Sequence, residues 1–244
     1  MTLAEAIAVA AAGFGAGGVN TIVGSGSLIT FPTLLAVGYS PVVANVSNSV
    51  GLVPGGISGA IGYRRELRGQ WRRAGFLSIG TGAGALLGGI LLLELPESVF
   101  DAVVPLLILL AAVLMAIKRT PASHADKEHN VAGISASFAT GIYGGYFGAA
   151  QGIIQMSLLR LCYPDDLQRL NAVKIVCTAV ANGVAAILFI AVADVAWEAA
   201  GLIAVGSTAG AQVAARYGRH IPSEVLRWVV VVVATVVAVI LFVT

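Results

Sequence analysis

The chain has 244 residues, of which 58% are hydrophobic and only 11% are charged, and its mean hydropathy is +0.92. Soluble domains carry about 25% charged residues, so this chain has too few charges to cover a surface that faces water. The composition excludes a cytosolic enzyme, a secreted disulfide scaffold and a nucleic-acid-binding protein, and the net charge of +2 predicts no nucleic-acid partner. It predicts an all-α, polytopic membrane protein whose surroundings are the lipid bilayer.

The apolar segments predict six simple membrane spans and two longer, interrupted regions. In chain order they are an interrupted region at 3–38, spans at 43–63, 74–93 and 99–117, a second interrupted region at 131–163, and spans at 171–193, 199–215 and 224–243. Gly24-Ser25-Gly26-Ser27 interrupts the first region, and glycines that include Gly148 and Gly152 interrupt the second. Such clusters favour a helix that breaks and turns back within the membrane. The alternative is two ordinary helices joined by a glycine-rich turn.

Basic residues give these segments an orientation. The loop from Arg64 to Arg73 and the loop from Lys118 to Lys127 are both basic, so the positive-inside rule places both in the cytoplasm. If 131–163 is a hairpin that leaves the membrane on the side where it entered, Lys174 is the one basic residue that does not lie at the cytoplasmic side. Both chain termini are then predicted to be external.

The two halves of the chain repeat each other. At a shift of 126 residues Asn45 aligns with Asn171, and Trp71 with Trp197, while upstream a shift of 124 aligns Gly24 with Gly148. We therefore predict a first repeat at 1–120, a cytoplasmic linker at 121–130 and a second repeat at 131–244. Each repeat holds a hairpin and three crossings, an odd number, so the repeats must be inverted. Inverted repeats with broken helices are typical of secondary transporters, whose substrate site lies near the bilayer midplane.

Polar residues cluster at the two hairpin tips and at the start of the span that follows each. They are amides, hydroxyls and one ammonium, with no carboxylate among them, which favours an anion over a cation. In this interpretation Lys174 supplies charge and the amides supply directed hydrogen bonds. The candidate substrate ligands are Ser25, Ser27, Asn45, Asn48, Gln151, Asn171 and Lys174, and the glycines expected to let backbone approach the substrate are Gly24, Gly26, Gly148 and Gly152.

Structural roles are the alternative for several of these polar residues. Threonine in a membrane helix often bonds its own backbone, which applies to Thr21, Thr30 and Thr178. Asn182 and Gln155 could link helices. Lys174 lies near the start of a predicted span and could instead extend its ammonium to the cytoplasmic surface.

An intramembrane enzyme is the rival class. A serine nucleophile at a hairpin tip would need a general base, but His124, His129 and His220 all fall in predicted cytoplasmic loops. The same absence argues against a haem, quinone or metal site, so we expect no catalytic residue, no metal site and no cofactor. Cys162 and Cys177 are interpreted as small packing residues.

The sequence resembles the sulfite exporter TauE/SafE family over essentially its whole length. The resemblance rests on the duplicated architecture, on Gly24-Ser25-Gly26-Ser27 running to Pro32, and on Gly148-Ala149-Ala150-Gln151-Gly152 in the matching place. It implies transport of sulfite, sulfonates or related organosulfur anions, often outward across the bacterial inner membrane. This chain has fewer consecutive glycines at each tip than the family pattern, and Met156 stands where the first half has Pro32.

These observations predict an exporter of a small anion that works by alternating access around a midplane site. A negative cell interior drives anions outward by about 2.3 kcal/mol per charge for every 100 mV, so export needs no coupling ion. The alternatives are an anion channel and an ion-coupled transporter of another small carboxylate or sulfur anion. The sequence leaves homo-oligomer formation open.

Overall fold

The computed structural model describes residues 1–116 and 127–217, and these residues form nine α-helices and no strand. The helices are α1 Leu3–Ile22, α2 Ser27–Ala36, α3 Pro41–Gly62, α4 Trp71–Glu94, α5 Glu97–Ala116, α6 Asn130–Tyr146, α7 Gln151–Cys162, α8 Leu167–Val192 and α9 Trp197–Tyr217. The span predicted at 224–243, the C-terminus, most of the linker at 121–130 and two histidines, His124 and His220, lie outside the described residues.

The predicted elements agree with these helices. The spans at 43–63, 74–93, 99–117, 171–193 and 199–215 correspond to α3, α4, α5, α8 and α9, with ends that differ by at most a few residues. Each interrupted region is a pair of helices, α1 with α2 and α6 with α7. By length and composition alone, α1, α4 and α8 are each long and apolar enough to cross a membrane. The described part of the chain is therefore an all-helical membrane protein.

The helix boundaries repeat along the chain. The first helix of each pair ends at Ile22 or Tyr146, and the second helix begins at Ser27 or Gln151, both at the shift of 124 residues found in the sequence. At the shift of 126, α3 matches α8 and α4 matches α9 in their first residues. The breaks therefore occur at corresponding places in the two halves.

The helices of the two halves interlock. The most extensive helix interfaces, α4 with α6, α1 with α9 and α3 with α9, each join a helix of residues 1–116 to a helix of residues 127–217. Glycines permit the two closest crossings. A methyl group on Gly84 of α4 would overlap the carbonyl oxygen of Phe138 on α6, and one on Gly210 of α9 would overlap that of Phe14 on α1. The backbones touch because a side chain is absent.

This packing predicts opposite effects for two kinds of glycine. Gly84→Ala or Gly210→Ala should destabilise the protein by about 1–3 kcal/mol, because the helices must move apart. Gly75→Ala and Gly201→Ala are the matched controls on the same helices, since nothing lies within 4 Å of a Cβ at either position. They should be neutral or stabilising by up to about 1 kcal/mol, as alanine favours helix. Thermal unfolding of the purified protein in detergent measures both effects, and equal melting temperatures for the two kinds of variant would contradict this account.

Two hydrophobic clusters lie at opposite ends of the long helices, and we name them by their aromatic residues. The phenylalanine cluster contains Phe31, Phe100, Phe147 and Phe189, and the tyrosine cluster contains Tyr63, Leu67, Leu77 and Tyr163. Helix α4 begins at the tyrosine cluster and reaches the phenylalanine cluster near Leu92, whereas α9 begins at the phenylalanine cluster and reaches the tyrosine cluster near Ala215. The two helices thus run in opposite directions between the clusters.

Candidate functional site

The two helix breaks contact each other directly. The Gly152 N–H donates to the Gly24 carbonyl oxygen at 3.0 Å, and a Cβ on Gly24 would lie 2.6 Å from the Gly152 Cα. Gly24 has φ of +94° and Gly148 has φ of +78°, values that glycine adopts without steric cost. In this structure the close approach that Gly24 and Gly152 allow is therefore between the two tips. Gly26 packs against the Ala16 carbonyl of α1.

Two asparagines tie each tip to the other half of the chain. The Asn45 side-chain N–H donates to the Tyr146 carbonyl oxygen at 2.9 Å, and that of Asn171 donates to the Thr21 carbonyl oxygen at 3.1 Å. In both cases an amide at the start of a long helix satisfies a carbonyl in the last turn of the broken helix opposite. Such carbonyls have no partner within their own helix, so these two amides stabilise the breaks.

Lys174 is fully buried, with 0% of its surface exposed. Its ammonium donates to the Asn20 carbonyl oxygen at 3.1 Å, in the last turn of α1, where the helix dipole favours positive charge. The alternative interpretation, that this side chain extends to the cytoplasmic surface, is therefore wrong. Asn20 also accepts a hydrogen bond from the Gly26 N–H through its side-chain oxygen at 2.6 Å. Asn20 thus places the Lys174 ammonium directly beside the first tip.

The remaining candidate ligands are buried around the tips. Asn48 donates to the Ser27 hydroxyl at 3.1 Å and accepts a hydrogen bond from Thr30. Ser25 is buried in the first tip, and Gln151 begins the helix that follows the second tip, with its amide against Gly144. The structure therefore places all seven candidate ligands at or beside the two breaks. Two of them bond the end of α1, two lie at the end of α6, and Asn48 and Ser27 bond each other.

Two amide atoms in this region have no partner. Asn45 Oδ1 and Gln151 Nε2 are buried and make no hydrogen bond within the described residues. Most of the first backbone N–H groups of α7 are already bonded within the tip or to Gly24. The side-chain amides therefore offer more bonding capacity to a ligand than the N–H groups at the start of this helix.

Several polar residues have the structural roles that the sequence left open. Thr21 and Thr178 donate to the carbonyls of Gly17 and Lys174, each one helical turn earlier. Gln155 donates to the Ser137 hydroxyl at 2.9 Å and so links α7 to α6. These bonds confirm the backbone-bonding interpretation for Thr21 and Thr178 and the helix-linking interpretation for Gln155, whereas Thr30 donates chiefly to the Asn48 amide oxygen.

Asn20 is the functional candidate that the sequence analysis did not select. It holds both Lys174 and the first tip, yet its side chain lies within a broken helix and has no polar counterpart in the second half, where Gly144 occupies the matching position. Its one sequence signal was an amide within an apolar segment.

Charged residues join the two halves at the tyrosine cluster. Arg73 at the start of α4 forms ion pairs with Glu128 and with Asp165, the latter at 2.7 Å, and Arg169 pairs with Asp165 at 2.8 Å. The Arg73 guanidinium also lies 4.6 Å from the centre of the Tyr163 ring. Through one arginine, this ion cluster joins the start of α4 to the segments that precede α6 and α8.

The ion cluster predicts sensitivity to acid. Burial alone would raise the pKa of Asp165, but hydrogen bonds from Arg73 and from the Asp166 backbone, together with Arg169, hold it below its ordinary value. A lowered pKa contributes stability above the pKa of the unfolded chain, about 3.9 for aspartate, and this stability is lost as pH falls through the folded value. Asp165→Asn should melt a few degrees lower than the wild type at neutral pH, and its melting temperature should fall less on acidification.

The exposed Asp194 provides the control for this measurement, because Asp194→Asn removes a carboxylate of the same kind outside the ion cluster. Its melting temperature should follow that of the wild type at every pH. If the melting temperature of Asp165→Asn also follows that of the wild type at every pH, the ion cluster does not stabilise the protein.

The buried polar side chains of the described residues are hydroxyls, amides and the Lys174 ammonium, with no carboxylate among them. No three His, Cys, Asp or Glu side chains in these ranges lie close enough to hold a metal ion. The tips therefore provide hydrogen-bonding groups and one positive charge, and these suit a small anion.

Comparison with known proteins agrees with a transport role. A family model described as sulfite exporter TauE/SafE matches residues 9–241. A protein of Haemophilus influenzae named probable membrane transporter protein is 27% identical over 209 residues, which cover 84% of this chain and 81% of that protein. The probable membrane transporter protein YfcA of Escherichia coli K12 is 25% identical over 91% of this chain and 83% of its own length.

A third relative, the probable membrane transporter protein ORF9 of a Sinorhizobium species, is 25% identical over 93% of this chain and 88% of its own length. No solved structure matches the chain. The similarity therefore extends over nearly the whole protein, including both helix breaks.

Proposed function

Since the chain belongs to the sulfite exporter TauE/SafE family, we propose that it exports a small anion such as sulfite or an organosulfonate across the bacterial inner membrane. Membership of this family makes the chain a membrane transporter. The proposal adds the substrate, the direction and the mechanism, which is alternating access around a midplane site between two inverted repeats. An external position for both chain termini is part of it.

The repeated helix boundaries and the opposite directions of α4 and α9 support inverted repeats. In transporters built this way, one half moves against the other around a fixed site. The most extensive interfaces of this chain lie between its two halves, so such a movement would change these interfaces.

The observation that carries the anion proposal is the buried ammonium beside the first tip. Lys174 lies among amides and hydroxyls, and no buried carboxylate accompanies it in the described part of the chain. A substrate anion that reaches the tips would be stabilised by this positive charge and oriented by the amides of Asn45 and Gln151. The same charge would repel a cation.

The packing at both ends of the long helices supports a site that opens to one side at a time. The phenylalanine cluster includes residues of the second break, and the tyrosine cluster with its ion cluster packs the other end of the long helices. If the helices come apart at one cluster while the other cluster stays packed, the anion can leave without a continuous pore. The membrane potential then drives a net negative charge outward.

Flux into liposomes tests this function. Purified protein in liposomes should move sulfite or a small sulfonate at a rate that saturates with concentration, and a positive potential on the destination side should speed the flux. Protein-free liposomes are the control. Transport of an inorganic cation or a neutral solute, with all such anions inert, would refute the proposed substrate class, and flux without saturation would favour a channel.

The inverted arrangement has its own test. Trp71 and Trp197 occupy matching positions and are 58% and 61% exposed. In a background that lacks Cys162 and Cys177, Trp71→Cys should react with an impermeant thiol reagent only from the cytoplasmic side, and Trp197→Cys only from outside. Reaction of both variants from one side would exclude inverted repeats.

A further inference from the structure

The two amide atoms without partners are the feature of the site that the proposed function does not explain. Asn45 is 1% exposed and Gln151 is 3% exposed, yet Asn45 Oδ1 and Gln151 Nε2 make no hydrogen bond within the described residues. A buried polar atom that stays unpaired costs free energy, and folded proteins keep very few of them. Such an atom usually gains its partner from a water, an ion or a ligand.

The chemical identity of the unpaired atom on Asn45 is fixed by its neighbour. The other amide atom of Asn45 lies 2.9 Å from the Tyr146 carbonyl oxygen, and a carbonyl oxygen only accepts hydrogen bonds. The atom that faces Tyr146 must be the nitrogen, so the remaining atom is the oxygen, which also only accepts. Asn45 therefore requires a hydrogen-bond donor from its ligand.

Gln151 carries the other unpaired amide atom, near the same end of α6. Its amide lies against Gly144 in the last turn of α6, the turn whose Tyr146 carbonyl holds Asn45. Any side chain at Gly144 would overlap this amide. Gln151 is also the first residue of α7, where the helix dipole favours negative charge. Its Nε2 group thus suits an anionic oxygen.

A ligand that satisfies both atoms must donate one hydrogen bond and accept another, and an anion that keeps an O–H group does both. Resting on the proposed function, we infer that the transported species is a monoanionic oxyanion that keeps one O–H group. The O–H donates to Asn45 Oδ1, and an anionic oxygen accepts from Gln151 Nε2. Asn45 is thus a specificity-determining residue that selects the protonated anion over one of the same charge without a donor.

A matched pair of anions tests the inference. Hydrogen sulfite and methanesulfinate carry the same charge and the same pyramidal sulfur, and they differ by a hydroxyl group in place of a methyl group. At a mildly acidic pH, where sulfite is a monoanion, the wild-type protein in liposomes should transport hydrogen sulfite about tenfold faster or more, because methanesulfinate leaves the Asn45 acceptor unpaired. Equal rates would overturn the inference and leave anion transport intact, and transport of neither anion would overturn the proposed function as well.

Two variants assign the selectivity to Asn45. Asn45→Leu removes the unpaired oxygen and should bring the ratio of the two rates to about one. Gln155→Leu is the control, since Gln155 is a buried amide between α6 and α7 whose nitrogen and oxygen both have partners, Ser137 and Thr140, and it should keep the wild-type ratio. An unchanged ratio in Asn45→Leu would overturn the role of Asn45. If Asn45→Leu does not fold, the ratio for the wild type still decides the inference.

Discussion

Lys174→Met is expected to reduce sulfite flux by at least about tenfold, the loss that corresponds to removal of one charge-assisted hydrogen bond. The variant keeps the length and the apolar stem of the side chain but removes the fully buried ammonium beside the first tip. Flux in liposomes and the thermal stabilisation of the protein by added sulfite measure the effect. Both should be lost, while the melting temperature without anion changes little.

The control for this variant removes a lysine from the surface. Lys127 is exposed, so Lys127→Met should transport at the wild-type rate. Lys174→Arg should recover part of the flux, because a planar guanidinium cannot fully replace a compact ammonium. If the Lys174→Met protein transports sulfite, and is stabilised by it, as the wild type is, the ammonium only binds the Asn20 carbonyl at the end of α1.

Gly24→Ala is expected to produce the largest loss of stability. Alanine at this position must adopt φ of +94°, and its methyl group would lie 2.6 Å from the Gly152 Cα. The left-handed backbone costs about 1–2 kcal/mol, and overpacking adds about 1–3 kcal/mol. Because the two tips can no longer cross, transport should be lost together with stability, as measured by flux and by thermal unfolding in detergent.

Gly38→Ala separates these two costs. Gly38 has φ of +98°, but nothing lies within 4 Å of a Cβ at this position. The variant should therefore show the backbone cost alone and keep its transport rate. A melting temperature for Gly24→Ala equal to that of Gly38→Ala would mean that the tips do not need their close contact.

The family assignment was available from the sequence because it depends on local chemistry. Both helix breaks were predicted within a few residues, since clusters of glycine and serine in an apolar segment disfavour a continuous helix wherever they occur. The sequence also predicted a duplication, because Trp71 and Trp197 stand in one register, and the matching helix boundaries support it. The family match over residues 9–241 confirms the resemblance drawn from these features.

The roles of individual polar residues were less predictable. The sequence correctly suggested that Thr178 bonds its own helix and that Gln155 joins two helices. It did not distinguish Asn45 from Asn171, because the two are equivalent by repeat and differ only in what surrounds them. That Asn45 and Asn171 bind the substrate stays a prediction.

Composition, apolar length and the register of the repeat thus determined from the sequence alone that this is a helical membrane protein with two breaks. Only the tertiary structure decided that the Lys174 ammonium points inward to the Asn20 carbonyl, that Gly24 touches Gly152, and that Asn45 Oδ1 has no partner in the described residues. The physical reason is that both contacts join residues more than a hundred positions apart, and that the lack of a partner for Asn45 Oδ1 depends on the packing around it. Local sequence fixes the propensity of a segment to form or break a helix, whereas the partner of a buried polar atom depends on how distant helices pack.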